Sequence, residues 1–311
     1  NDENTAIEIA EDNWSWIRGK EDFSPIANNI SEFNEYLKEK DIEMLYVQAP
    51  AKIENLSNGG MLDIYKDYTK ENTDKFIEML TNNSVDVLDL RKKMNEDNIN
   101  YLDAFYKTDH HWRPETGLWA TRKIANHINE KWNMNIDISL YDKEKYKDEI
   151  YEKAFLGSNG RNATLSKAKL EDFNIISPIF DTNLTIEIPS LDVNKTGTFR
   201  EALINDSLIG SKDYYRNTTY LAYGYGNKAL VHVKNNLIEN STENILFLKD
   251  SFGIVVLPYL SLGVGNIYEI DQRSFDGSIK SFIEKNNITK VIMLYYPGSL
   301  DTMEESLFTY E

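Results

Sequence analysis

The chain has 311 residues, 41% of them hydrophobic and none of them cysteine, which is enough apolar material for one large core or two small ones. The missing cysteines exclude disulfides, thiolate metal sites and a cysteine nucleophile. A net charge of −17 and a pI near 4.8 give an average surface that repels nucleic acid, anionic lipid and polyanionic polysaccharide, and no run of about 18 apolar residues is present to span a membrane.

The sequence begins at Asn1 rather than methionine, so a removed signal peptide or anchor is expected, with the protein outside the cytoplasm. The absence of cysteine leans the same way. "ISEFNEYLKEKD" carries Ile30, Phe33, Tyr36 and Leu37 at helical spacing and is followed by the apolar run "IEMLYVQAP", which reads as helix then buried strand. "YTKENTDKFIEMLTNN" repeats the helical period and "VDVLDL", Val85 to Leu90, alternates as a second strand. "LRKKM", Leu90 to Met94, is too short for a nucleic-acid tract and reads as a solvated helix face. Lys52, after "QAP", reads as a surface lysine.

The stretch "KTDHHWRPETGLW", Lys107 to Trp119, puts two of the four histidines behind an aspartate. Pro114 fits the first turn of a helix, where its missing N–H is no loss. Leu118, Ile124, Ile128 and Trp132 then line one face of an amphipathic helix to about residue 132. The cluster thus occupies the loop before a helix. Three uses stay open: a polar turn, a metal site, or an acid–base dyad. Adjacent histidines in an extended segment point to opposite faces, and neither "HxH" nor "HExxH" is present, so no metal or other cofactor is expected. Asp109 and His111, two apart, can project to the same side, with the carboxylate accepting from Nδ1 and Nε2 left to face a hydroxyl. His127 reads as a helix-side residue and His232 as a strand residue.

From about 140 to 235 the texture changes to short β-rich pieces, "LTIEIPSLDV", "TTYLAYGYG" and "ALVHVKNN", broken by turn residues. This reads as a β-rich insertion within a single domain spanning 1–311. Helix and strand alternation then resumes through "NILFLKDSFG", "VVLPYLSLG", "NIYEID", "SIKSFIEKNN" and "KVIMLYYPG". The fold class is α/β, with a parallel sheet flanked by helices.

"ENILFLKDSFG" sets Asp250 and Ser251 directly after a buried strand. A serine there gains exposure at a crevice edge and nearby N–H groups that stabilise an oxyanion. The alternative is that Asp250 or Ser251 is only a helix cap.

"TDHHW", "KDSFG" and the late strand "VIMLYYP" together resemble the DHHW proteins, relatives of the alginate O-acetyltransferases in the SGNH-hydrolase-like superfamily. "YVQAPAKI", "FLGSNGRN" and "EIDQRSF" look like further landmarks, so the resemblance extends over most of the chain. It implies an SGNH-like fold and a triad of Ser251, His111 and Asp109. Typical SGNH hydrolases carry "GDS" first and "DxxH" last. The order here is permuted, as in the acetyltransferase branch, with Lys249 where those hydrolases have glycine.

The implied chemistry is acetyl transfer through an acetyl-serine, with the Ser251 amide as one oxyanion donor and Asn227 of "YGYGN" or Gly157 of "FLGS" as the second. Arg273, Tyr295 and Tyr296 follow late strands and could hold substrate; the plainer readings are a salt bridge to Asp271 and core packing. Trp112 could stack on a sugar or pack at the helix start. His110 is left as a structural neighbour of the dyad. The expected acceptor is a neutral or amino-sugar exopolysaccharide, cellulose-like, because the acidic surface disfavours an anionic one. The expected acetyl donor is supplied by a membrane-bound acetyl-transfer protein. A carbohydrate acetylesterase, or a noncatalytic glycan-binding subunit of an export complex, are the competing readings, the latter disfavoured by the intact Asp109, His111 and Ser251.

Overall fold

In the computed structural model, residues 6–54, 66–239, 241–303 and 305–311 are described; Asn1, and the leader or anchor expected before it, lie outside them. A hairpin of β1 (Ile7–Ala10) and β2 (Asn13–Ser15) comes first. Then α1 (Ser24–Lys38) leads to β3 (Glu43–Gln48), and α2 (Thr69–Asn82) leads to β4 (Asp86–Asp89). Short helices α3 (Leu90–Glu96) and α4 (Tyr101–Ala104) precede the long α5 (Pro114–Trp132). Next come β5 (Tyr146–Phe155), α6 (Ser158–Ala163), β6 (Glu171–Pro178), β7 (Leu184–Ile188), β8 (Val193–Gly197), α7 (Phe199–Leu203) and β9 (Val231–Asn235). The last third is β10 (Asn244–Lys249), α8 (Val256–Leu260), β11 (Asn266–Ile270), α9 (Ile279–Lys285), β12 (Lys290–Tyr295) and α10 (Pro297–Leu300).

Eight strands form one sheet in the order β4-β3-β12-β10-β11-β9-β7-β8. The five from β4 to β11 are parallel, and β9, β7 and β8 continue antiparallel. The sheet is therefore mixed rather than wholly parallel. Its antiparallel end is built by strands of the β-rich 140–235 stretch, while β5 and β6 pair apart from it.

The parallel strands are apolar on both faces, as strands covered by helices on two sides must be. In β10, Ile245 and Phe247 pack with α5 and α8, whereas Leu246 and Leu248 pack with α1, α2 and α9. Each such fully buried aliphatic side chain stabilises the fold by about 1.5–3 kcal/mol. α5 begins at Pro114, after an extended Arg113, and ends on a left-handed Asn133; its buried stripe includes the residues read from the sequence. "LRKKM" does form a helix, but Arg91 is buried rather than solvated, because Asp89, Glu54 and Asp74 surround its guanidinium.

The "TTYLAYGYG" stretch is not a strand. It is a short helical turn at Thr219–Ala222 followed by Gly224, Tyr225 and Gly226 in consecutive left-handed conformations, a path that glycine makes accessible.

Candidate active site

Asp109, His110 and His111 lie in the loop between α4 and α5, and Ser251 opens a 3₁₀ turn, Ser251–Val255, directly after β10. The two segments meet beyond the C-terminal ends of the parallel strands, where open α/β sheets hold ligands. His111 Nδ1 is 2.6 Å from Asp109 Oδ1, and His111 Nε2 is 2.6 Å from Ser251 Oγ. With Nδ1–H donated to the carboxylate, Nε2 is left to accept from the serine hydroxyl.

Asp109 is fully buried and its oxygens are occupied. Oδ1 also accepts from the His111 amide at 3.0 Å, and Oδ2 accepts from the Ser158 amide at 2.8 Å. Burial alone would raise its pKa, but the His111 and His110 rings hold it well below the usual carboxylate range. An ionised carboxylate is what an imidazolium forming next to it requires. The ring of Tyr220 stacks on His111 at 4.3 Å and 24°, a second source of stabilisation for a cationic ring.

The cap and nucleophile readings of "DSF" fall on different residues. Asp250 is the cap: Oδ1 accepts from Phe252 N at 2.8 Å, and Oδ2 accepts from Tyr296 N at 2.6 Å. Ser251 is thereby left with its hydroxyl toward His111. As the first residue of the turn, its amide belongs to the set that helical bonding leaves without an acceptor.

His110 departs from the expectation of opposite-facing histidines. The loop turns rather than extends, so the two rings lie 3.9 Å apart, and His110 Nδ1 is 3.0 Å from Ser158 Oγ and 3.1 Å from Asp109 Oδ1. Ligand atoms of Asp109, His110 and His111 all fall within 4.8 Å of one another. Two of those residues are the ones hydrogen-bonded in line to Ser251. Burial, with the neighbouring His111, pushes the His110 pKa down to about 4.

The remaining sequence candidates divide. The Gly157 amide donates to Thr108 Oγ1 at 3.0 Å, so Gly157 is part of the loop's support and not an oxyanion donor. Asn227 Oδ1 accepts from Lys249 Nζ at 2.8 Å, which leaves Nδ2 as its available donor. Trp112 is fully buried, donates Nε1–H to Phe252 O at 3.2 Å and packs edge-on against the Phe252 ring; it cannot face a sugar. Tyr295 is also fully buried. It points to the α1 and α9 side of the sheet and donates its hydroxyl to Gln272. Arg273 is clamped through Nε and Nη2 on the two oxygens of Asp271 at 2.8 and 2.6 Å. Tyr296, one residue on from Tyr295, turns to the other face and stacks on Phe252 at 4.6 Å, with His110 at 5.6 Å.

Lys52 is buried, not a surface lysine. Its Nζ donates to the carbonyls of Tyr106 and Lys107 at 2.8 and 3.1 Å, and burial lowers its pKa to about 7. Residues the sequence did not single out complete the rim: Trp16, whose ring lies 4.9 Å from His110, Arg18, which sits over Tyr296 and pairs with Asp301, and Ser158. Trp16 and Arg18 come from one N-terminal stretch that carries no motif, and Ser158 lies within the "FLGSNGRN" landmark without a role that the sequence assigns it.

A family model described as an SGNH hydrolase-like domain, acetyltransferase AlgX, matches residues 15–166. This span holds Asp109 and His111 and ends before Ser251. In structure, Bacillus cereus PatB1 is similar at a TM-score of 0.77 and 21% identity, over 99% of this chain and 100% of that one. A DHHW family protein from Eubacterium siraeum is similar at 0.70 and 18%, over 98% and 97%. The O-acetyltransferase domain of Pseudomonas putida AlgJ is similar at 0.51 and 11%, over 91% and 88%. No curated protein matches in sequence. The match to the AlgX-type SGNH hydrolase-like model is thus confined to residues 15–166, and over the whole chain the likeness is one of fold, shared with the PatB1, DHHW and AlgJ structures.

Proposed function

We propose that residues 1–311 form a single catalytic domain of a polysaccharide O-acetyltransferase, with Ser251 as nucleophile, His111 as general base and acid, and Asp109 as its orienting carboxylate. The observation that carries this reading is the unbroken line Asp109 Oδ1, His111 Nδ1, His111 Nε2, Ser251 Oγ, with both links at 2.6 Å. A neutral hydroxyl becomes nucleophilic only with such a base in reach.

Ser251 Oγ gives its proton to His111 Nε2 and attacks the carbonyl carbon of an acetyl donor. The tetrahedral oxyanion accepts from the Ser251 amide and from Asn227 Nδ2. Its collapse breaks the bond to the donor's leaving group, which takes the proton back from His111 and leaves acetyl-Ser251. A sugar hydroxyl then loses its proton to His111 and attacks the acetyl-serine. The second collapse releases the acetylated sugar and returns the proton to Ser251 Oγ.

The net charge of −17 supports a neutral or amino-sugar acceptor, cellulose-like, over an anionic one. Relationship to the AlgX-type domain supports an extracytoplasmic setting and an acetyl donor handed over by a membrane-bound acetyl-transfer protein. Among the described residues, no helix is long and apolar enough to cross a membrane. A structure of the similar PatB1 carries a sulfonyl adduct, the product expected when a sulfonylating reagent meets an activated nucleophile.

The test incubates the protein with p-nitrophenyl acetate, with and without cello- or chito-oligosaccharides. Nitrophenol release that disappears in Ser251→Ala, together with acetylated oligosaccharide in the mass spectrum, is expected. Release without transfer to any sugar identifies an acetylesterase instead. The absence of Ser251-dependent release defeats the enzymatic reading.

A further inference from the structure

Glu171, at the start of β6, is far from the site in sequence, yet it grips the loop that carries Asp109 and His111. Oε1 accepts from Lys107 N at 2.7 Å and from Arg113 Nη2 at 3.3 Å. Oε2 accepts from Thr108 N at 2.7 Å and from Thr108 Oγ1 at 2.6 Å. Thr108 passes this order on: its Oγ1 accepts from Gly157 N at 3.0 Å and its carbonyl from Gly160 N at 2.8 Å. The same turn aims the Ser158 amide at Asp109 Oδ2 at 2.8 Å. From the opposite side, Lys52 Nζ holds the carbonyls of Tyr106 and Lys107. Two peptide groups are thus held with their amides on a carboxylate and their carbonyls on an ammonium, an arrangement of charge-assisted bonds far stronger than a surface loop needs.

We propose that Glu171 and Lys52 are positioning residues of opposite charge that set both the geometry and the basicity of the Asp109–His111 pair. Neither touches the reacting atoms; they act through the loop and through the field. Structural support alone would require only hydrogen bonds, whereas this arrangement sets the Glu171 carboxylate against a buried lysine whose pKa is lowered to about 7, so that its positive charge is fully present only below that pH. Lys52 is close enough to feel Asp109, Glu171 and Arg113. The other groups facing the pair are His110, Ser251 and Tyr220, with Asp250 acting on Tyr220 and Arg18 acting on His110.

The signs follow from Coulomb's law. Below about pH 7, where Lys52 is protonated, removing its charge in Lys52→Met makes the surroundings of His111 more negative, favours imidazolium and moves its titration midpoint up. Removing the anion in Glu171→Gln moves it down. In a site this buried each displacement is on the order of half to one pH unit. Glu171→Gln also sets an NH₂ against the Lys107 or Thr108 amide, so kcat falls about tenfold or more as the dyad loosens.

The inference rests on the proposed acetyl transfer, but its test does not need turnover. Histidine labelled with ¹³C at Cε1 is titrated by NMR in the wild type and both variants, with the His111 signal assigned by its loss in His111→Gln. Opposite displacements of the midpoint are expected, and Glu171→Asp, which keeps the charge, should retain most of the wild-type value. Either variant alone suffices, because a sign is specified for each. Unmoved midpoints in folded variants, or shifts in the same direction, overturn the proposal. Loss of Ser251-dependent hydrolysis in the wild type would instead defeat the enzymatic reading and leave the NMR result standing.

Discussion

The loop bearing Asp109 and His111 and the turn bearing Ser251 are held in different ways. The loop is a polar object: Glu171, Lys52, Thr108 and the Gly157–Ser158 amides saturate it with hydrogen bonds. The turn is mostly an apolar one. Phe252, Ile254 and Val255 are buried, Phe252 lies between Trp112 and Tyr296, and polar restraint comes from the Asp250 cap and from the Trp112 Nε1–H bond to the Phe252 carbonyl. Hydrogen bonds fix angles and charge states; packing fixes position but tolerates small adjustment. The difference suits the two proposed roles, since a base must keep one tautomer and one orientation, whereas a nucleophilic serine must change its bonding twice in each cycle.

The largest expected effects come from cutting the line where the two regions meet. Ser251→Ala should remove acyl transfer with no loss of folding, because the side chain is small and lies at the edge of the packed turn. Asp109→Asn keeps the shape but offers the His111 ring an NH₂ or a neutral oxygen, so the wrong tautomer competes. A drop of about 10³ to 10⁴-fold in kcat follows, by analogy with serine hydrolases. Steady-state kinetics on an acetyl ester measure both. An Asp109→Asn variant near wild-type activity would show that the polar loop does not tune the base.

A smaller effect separates the two regions through a matched pair of glycines. A Cβ at Gly157 would sit 2.3 Å from Asp109 Cβ and 2.4 Å from the Thr108 carbonyl, both on the loop itself. A Cβ at Gly253 would meet Cβ and Cγ of the buried Lys249 at 2.7 Å, a clash with the end of β10 and not with the loop that carries Asp109 and His111. Gly157→Ala is expected to lower kcat about 10²-fold, the cost of a misplaced catalytic group, and to destabilise by about 1–3 kcal/mol. Gly253→Ala should cost similar stability but only about tenfold in kcat. Denaturant melts with the ester assay check this, and equal losses of kcat would erase the distinction between the regions.

The α/β alternation and the Asp109–His111 spacing were legible because each is local: periodicity marks α1, α5, β3 and β10, and residues two apart in a short loop share a side. The pairing with Ser251 was legible only through resemblance, since nothing in either segment encodes a contact 140 residues away. For Tyr295 and Trp112 the plainer reading, core packing, holds over the substrate role, and for one shared reason. An aromatic residue beside a motif looks available, but which way it turns depends on strand phase and helix packing. Tyr295 continues the phase of Val291 and Met293 toward the α1 side, and Tyr296 does not. Lys52 and Glu171 had no signal, because a buried charge is defined by the segments that surround it, here the "TDHHW" loop itself.

The smallest effect concerns His110, which lies against the polar loop without standing in line with Ser251. Its ring is held near Asp109 and Ser158, and burial, with the adjacent His111, pushes its pKa down to about 4 from an ordinary value of 6.5. It is therefore neutral wherever the enzyme would work, and His110→Gln should lower kcat no more than about tenfold, with the same pH profile above pH 5. Its signature lies in stability. A base with a depressed pKa contributes stability that is fully present above 6.5 and is lost as pH falls toward 4, because the unfolded chain binds the proton more readily. Wild type should thus lose about 1–3 kcal/mol relative to His110→Gln between pH 7 and pH 4, measured as the difference in urea midpoints at the two pH values. A constant difference across that range would mean that His110 titrates normally, and that the polar loop is more open to water than its hydrogen bonds imply.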